Sequence, residues 1–159
     1  MSNPQRKLLK ALIVGKPNVG KSTLTNFLVG EKISIVSRKA QTTQKNTTGV
    51  ITKNDSQLIF FDTPGLNKVE KNIRISETFK AVAEDVDVLI YMVDNRKSSQ
   101  SIDAHFSNWY NKKESGFSKK ILIVNKIDSI EKLKLFEITK KINEVINFDE
   151  TFFISLNKK

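Results

Sequence analysis

The sequence predicts an α/β domain: a mostly parallel sheet with one antiparallel hairpin strand, and helices on both faces. Three observations predict it. Short apolar runs alternate with longer helix-like segments along the chain. The turn-like pair "ND" sits between two strand-like stretches, "GVITK" and "SQLIFFD". Each motif rich in glycine or polar residues follows an apolar run, and in such sheets ligands gather outside the carboxyl ends of the strands.

The elements follow in order. "LLKALIV" (8–14) reads as a buried strand. Lys21 to Val29 reads as a helix, with Gly30 where a C-terminal cap is expected. Residues 31–48, rich in Ser, Thr, Lys and Gln, predict a long loop before the hairpin at 49–62. A loop from Asp62 leads to a helix near Ile73 to Glu84 and the strand "VDVLIYMVD". A helix near Ile102–Glu114 precedes the strand "KKILIVN", another covers roughly Ile130–Ile146, and "TFFIS" is the last strand. No internal repeat, low-complexity tract or linker interrupts the 159 residues, which read as one domain.

Composition narrows the class. Hydrophobic residues at 38% and charged residues at 28% fit a globular chain rather than a disordered one. No apolar run approaches the roughly 20 residues of a membrane span, and "MSNPQRK" has no apolar core behind it as a signal peptide would. The lack of cysteine excludes disulfides and thiolate chemistry and suits a cytoplasmic protein. The formal charge of +10 invites a nucleic-acid reading. Lysine far outnumbers arginine, however, and is spread along the chain, so compositional bias explains the charge better than an RNA-binding face.

Gly15-x-x-x-x-Gly20-Lys21-Ser22 fits the phosphate-loop pattern between a strand and a helix. Its residues Gly15, Lys16, Pro17, Asn18, Val19, Gly20, Lys21, Ser22 and Thr23 are candidate nucleotide contacts. Glycine suits a backbone that must turn tightly and aim successive amides inward. Lys21 would reach the β- and γ-phosphates, and the Ser22 hydroxyl would ligate Mg²⁺. The fold expected is thus a P-loop NTPase domain.

"NKID", Asn125, Lys126, Ile127 and Asp128, selects the base. An aspartate there accepts two hydrogen bonds from the N1–H and exocyclic amine of guanine. Adenine presents an acceptor at N1 and no such amine, so the carboxylate would stay unpaired; sites of this kind reject the wrong analogue by about 10⁴- to 10⁵-fold. Asn125 would bond the base and a nearby loop, and the Lys126 stem would lie along the ring. "DTPG", Asp62, Thr63, Pro64 and Gly65, ends another strand: Asp62 suits a Walker-B role on Mg²⁺ through water, and the Gly65 amide suits the γ-phosphate. In the polar loop, Thr43, ahead of Thr42, is the candidate to complete the Mg²⁺ shell, and with Lys21 and Gly65 makes the candidate catalytic set. Loops ordered by the γ-phosphate and released on hydrolysis make a switch.

Together these motifs resemble GTPases of the translation-factor class. Within it, "GKPNVGKSTL", "ISIVSRKAQTT", "DTPGL" and "NKID" are similar to the Era family of bacterial ribosome-assembly GTPases, with "SRKAQTT" carrying most of the finer assignment. The resemblance covers nearly the whole chain, as an Era-type G domain. It implies GTP and GDP binding, Mg²⁺, slow GTP hydrolysis, a cycle coupled to the small ribosomal subunit and its RNA, and a cytoplasmic location with peripheral membrane association. It implies too that Leu66 stands where other small GTPases keep a water-positioning glutamine. Asn18 matches an asparagine that relatives use to help hold K⁺; the bland alternative is a loop-shaping residue. Ser155 and Leu156 match the guanine-side loop.

The chain departs from the family in three places. Gln44 and Asn46 replace basic residues after "QTT". Leu156 replaces the usual alanine, adding bulk. The family continues with a covering helix and an RNA-binding KH domain with a GXXG loop, expected to be missing beyond Lys159. Alternatives stay open: another P-loop enzyme such as an ATPase or kinase, a related ribosome or tRNA-modification GTPase, a nucleotide-dependent binding module with negligible turnover, or a truncated G domain with impaired activity. His105, without a companion His or Cys, reads as structural or solvent-facing.

Overall fold

The computed structural model describes residues 7–30, 47–62, 77–113 and 116–156. Its sheet contains β1 (Lys7–Gly15), β2 (Thr47–Lys53), β3 (Ser56–Asp62), β4 (Val88–Val93), β5 (Lys119–Val124) and β6 (Glu150–Phe153). The spatial order is β2-β3-β1-β4-β5-β6. Within it only β2 and β3 pair antiparallel, turning at Asn54, whose φ of +52° is one that asparagine tolerates. The helices are α1 (Lys21–Gly30), α2 (Glu77–Glu84), α3 (Ala104–Lys112) and α4 (Lys132–Asn143).

Period-two geometry sorts each central strand into two cores. Leu12 and Val14, with Leu89, Tyr91, Val93, Leu122 and Val124, face α2, α3 and α4 through Phe79, Phe106, Ile138 and Ile142. Ala11 and Ile13, with Ile90, Met92 and Ile123, face α1 through Leu24. Both faces are covered, so β1, β4 and β5 read as near-continuous apolar runs rather than alternating ones. α1 approaches the hairpin closely: a Cβ on Gly49 would stand 2.7 Å from Val29.

Most differences from the sequence expectations lie at element ends. β2 begins at Thr47, so two residues assigned to the long loop are strand; 31–46 lie outside the described residues. Gly30 closes α1 from within, without the left-handed φ of a cap beyond the helix. α2 is described from Glu77, and 73–76 lie outside. β4 ends at Val93 because Asp94 turns away into a side-chain network. α3 starts at Ala104 rather than Ile102, since the Asp103 carboxylate caps it by accepting from the amides of His105 and Phe106 at 3.0 and 3.1 Å. α4 is shorter at both ends than expected, and β6 ends at Phe153. His105 is exposed. Among the described residues no helix is long and apolar enough to cross a membrane.

Tyr91 joins the strand core to α3: its ring lies 5.3 Å from that of Phe106, and its hydroxyl accepts from the Asp103 amide at 3.1 Å. Burial pushes its phenol from 10.0 up to about 12; the Asp103 amide pulls it down and the Asp103 charge adds to the rise. Between those two pH values the unfolded chain releases a proton that the folded chain keeps, so stability falls as pH rises, by up to about 1.4 kcal/mol per unit. Tyr91→Phe should remove this slope while costing about 1 kcal/mol near neutrality through the lost hydrogen bond. Urea unfolding of both proteins at pH 8 and pH 11 checks it; parallel losses in the two would contradict it.

Candidate nucleotide-binding site

The register brings the carboxyl ends of the strands to one edge. Ile13 pairs with Asp62, Gly15 with Met92, Val93 with Val124 and Val124 with Phe153. The loop 16–20, Asp62, Asp94, Asn125 and Ser155 each follow or close one of these strands. There a cleft of about 510 Å³ is lined by Pro17, Asn18, Gly20, Lys21, Ser22, Thr23, Asn125 and Lys126. That volume suits a small-molecule ligand.

The glycines are fixed by close approach. A Cβ on Gly15 would stand 2.5 Å from the Met92 carbonyl oxygen. At Gly20, φ is +111°, and a Cβ would stand 2.4 Å from Asn125 Nδ2. Between them Asn18 takes the left-handed conformation at φ +63°, and its side chain is exposed. Lys21 is buried, its Nζ donating to the carbonyls of Gly15 at 2.8 Å and Lys16 at 3.0 Å. α1 begins at Lys21 with no acidic residue in its first turn. Its N-terminal amides and positive dipole end face the cleft, and none of its own first-turn side chains is a carboxylate, a setting for an anion. Ser22 and Thr23 are exposed on the cleft wall.

Asn125 ties three segments together. It is 1% exposed. Its Nδ2 donates to the Val19 carbonyl at 2.9 Å, and its Oδ1 accepts from the amides of Lys126 at 2.8 Å and Leu156 at 3.2 Å. Lys126 adopts φ +60° and reaches over the phosphate loop to the Asn18 carbonyl at 2.9 Å. Ile127 packs against the core, while Asp128 is exposed, is not among the residues lining the cleft, and accepts from the Ser155 hydroxyl. The Leu156 amide donates to Asn125 Oδ1, and the Leu156 side chain packs onto the α1-side core.

Sequence reasoning missed Asp94, which it ran into the end of a strand. Asp94 is fully buried, and its carboxylate accepts from Lys126 Nζ and Arg96 Nε, each at 2.8 Å. Burial alone would raise its pKa. Hydrogen bonds from Lys126, Ser99 and the Arg96 amide, with the Lys126 charge, overcome this and hold it below the usual carboxylate value. One signal was available: a carboxylate directly after a buried strand, at the same edge as Asp62 and Asn125.

Thr42, Thr43, Gln44, Asn46, Thr63, Pro64, Gly65 and Leu66 lie outside the described residues, and Asp62 is placed by its backbone alone. Among the described residues no cluster of three or more His, Cys, Asp or Glu side chains is set to hold a metal by itself.

A family model described as 50S ribosome-binding GTPase matches residues 10–126. GTPase Era of Bordetella pertussis is 40% identical over 162 residues, covering 99% of this chain and 53% of that protein. GTPase Era of Fusobacterium nucleatum is 40% identical over 146 residues, covering 90% of this chain and 49% of that protein. The chain thus spans about half the length of the curated relatives it matches. Aquifex aeolicus Era bound to GDP·AlF₄⁻ superposes with a TM-score of 0.62 at 34% identity, over 94% of this chain and 52% of that one. Era in complex with MgGDPNP and nucleotides 1506–1542 of 16S ribosomal RNA gives 0.62 at 33% identity, over 94% and 51%. By its match to the family model and its identity to these relatives, the chain belongs to this family of GTPases, in its Era branch.

Proposed function

We propose that the cleft binds GTP and GDP and that the chain hydrolyses GTP slowly, as a switch in small ribosomal subunit assembly. The observation that carries this is the Asn125 side chain, which bonds the phosphate loop at Val19 and the base-side loop at Leu156. A nucleotide spanning the cleft would meet both halves at once.

Lys21 exchanges its two carbonyl partners for the β- and γ-phosphates, where its charge offsets that gathering on the γ-phosphoryl oxygens during transfer. The loop amides and the α1 N-terminus hold the remaining phosphate oxygens. Gly65 and Thr43 contribute from the segments that respond to the γ-phosphate. Ser22 and Asp62, with Thr43, are the residues that would hold Mg²⁺, which supplies charge neutralisation at the phosphates. Asn18 is the proposed contributor to a K⁺ site. Asp128, placed by Ser155, reads guanine. Contact with ribosomal RNA comes to this chain from the family likeness, the relative in complex with 16S RNA being roughly twice its length.

Leu66 favours a second reading, a GTP-dependent binding module with negligible turnover, because its side chain cannot orient water. Titration with fluorescent GDP and ADP in Mg²⁺ buffer, followed by phosphate release in Na⁺ and in K⁺, separates the readings. Tight GDP binding with ADP at least about 10³-fold weaker is expected. Phosphate release at an intrinsic rate on the order of 10⁻⁴ to 10⁻³ s⁻¹, faster in K⁺, is expected of the enzyme. Equal affinity for the two nucleotides would overturn the assignment of the base site, and absent phosphate release would leave the binding module.

A further inference from the structure

Two cations hold the phosphate loop by its backbone carbonyls. Arg96 donates through a terminal guanidinium nitrogen to the Pro17 carbonyl at 2.7 Å, and Lys126 Nζ donates to the next carbonyl, Asn18, at 2.9 Å. Both cations are anchored on one carboxylate, that of Asp94, at 2.8 Å each. Asp94 is itself fixed. The Ser99 hydroxyl donates to Oδ1 at 2.5 Å, the Arg96 amide donates to Oδ1 at 3.0 Å, and the Asp94 amide donates to Ser99 Oγ at 3.0 Å. A reciprocal contact ties the same segment to the loop, from Lys16 Nζ to the Ser98 carbonyl.

The consequence follows from peptide geometry. All peptides described are trans, so each carbonyl points opposite to the N–H of the same planar unit. Holding the Pro17 and Asn18 carbonyls toward Arg96 and Lys126 therefore aims the amides of Asn18 and Val19 the other way. The present acceptor of the Val19 amide, the Lys16 carbonyl at 3.4 Å, is a distant one. Arg96 sets one of these peptides and Lys126 the other, and Lys126 also belongs to the base-side loop. A single buried carboxylate thus links the orientation of the phosphate-binding amides to the lysine that lies beside the base.

We infer that Asp94 is a positioning residue for guanine-nucleotide binding, acting through Arg96 and Lys126 to preset the phosphate loop. Its side chain is fully buried and does not line the cleft. Without its charge, two cations would face each other beside the loop, and neither would have a fixed anchor from which to hold its carbonyl. This rests on the proposed nucleotide function, so the unaltered protein is measured first. If it fails to bind fluorescent GDP, that function and this inference fall together.

With GDP binding in hand, Asp94→Asn, Lys126→Met and the double variant are compared by GDP dissociation, GTP turnover and thermal unfolding. Asp94→Asn is expected to speed GDP dissociation about tenfold. KM for GTP should rise in parallel while kcat stays within about twofold, because Asp94 acts on binding and not on the γ-phosphate. In the Lys126→Met background, Asp94→Asn should add no more than about threefold, since half of what it anchors is already gone. GDP dissociation unchanged by Asp94→Asn, or full multiplication of the two single effects, would overturn the inference. So would a fall in kcat with KM unchanged. Should Asp94→Asn fail to fold, Arg96→Met decides, because its guanidinium lies near the surface. Dissociation about threefold faster with an unchanged melting temperature supports the anchor, and dissociation like that of the unaltered protein rejects it.

Discussion

Asp128→Asn is expected to weaken GDP binding by about 10⁴-fold and to turn the site toward xanthosine diphosphate. Guanine presents two donors side by side, N1–H and the exocyclic amine, and a carboxylate accepts both. An asparagine amide accepts one and directs its own N–H at the other, leaving two donors opposed. Xanthine keeps N1–H and replaces the amine by a carbonyl, which matches the amide atom for atom. Asp128 is exposed and accepts from the Ser155 hydroxyl, so the exchange should leave the fold intact. Paired titrations with fluorescent GDP and xanthosine diphosphate measure the switch. A variant that still binds GDP within tenfold of the unaltered protein would remove Asp128 from base recognition.

Phe106→Ala is expected to destabilise the fold by about 3–5 kcal/mol. The side chain is 0% exposed. Its ring lies 5.3 Å from that of Tyr91, 5.6 Å from Trp109, 6.2 Å from Tyr110 and 6.4 Å from Phe79. Removing it opens a void between the sheet and three aromatic neighbours on the helices, with little slack to collapse. Against a usual domain stability of about 5–15 kcal/mol the loss is large, and the urea midpoint should fall by about 2 M. Phe106 does not line the cleft, so GDP affinity at low temperature should hold. A midpoint shift under about 0.5 M would mean that the cluster closes over the gap.

The sequence carried the parts of this fold that are local. β1, β4 and β5 announced themselves because both faces are buried, which leaves an unbroken apolar run. Their ends were harder, since nothing in "MVD" says that Asp94 leaves the strand to meet a lysine 32 positions on. α4 was legible as a helix but not in its facing. Ile138 and Ile142 are buried, whereas Leu133 and Phe136 are 82% and 72% exposed, and apolar residues of similar character took opposite sides. The site shows the same division. Phosphate loop and "NKID" are contiguous motifs whose backbone demands fix their residue types. The Arg96 contact to Pro17 joins residues 79 positions apart, and only the register of β1 against β4 creates it.

Trp109 gives the aromatic cluster a second use. It is the chain's only tryptophan, and it meets Phe79 of α2 edge to face, with ring centroids 4.9 Å apart. Indole emission responds to small changes in what lies against the ring. α2 follows the "DTPG" segment in sequence, so any displacement of that helix between GTP and GDP states would alter the quenching and polarity around this one fluorophore. The chain therefore carries a built-in optical gauge of α2, readable by stopped flow without a label.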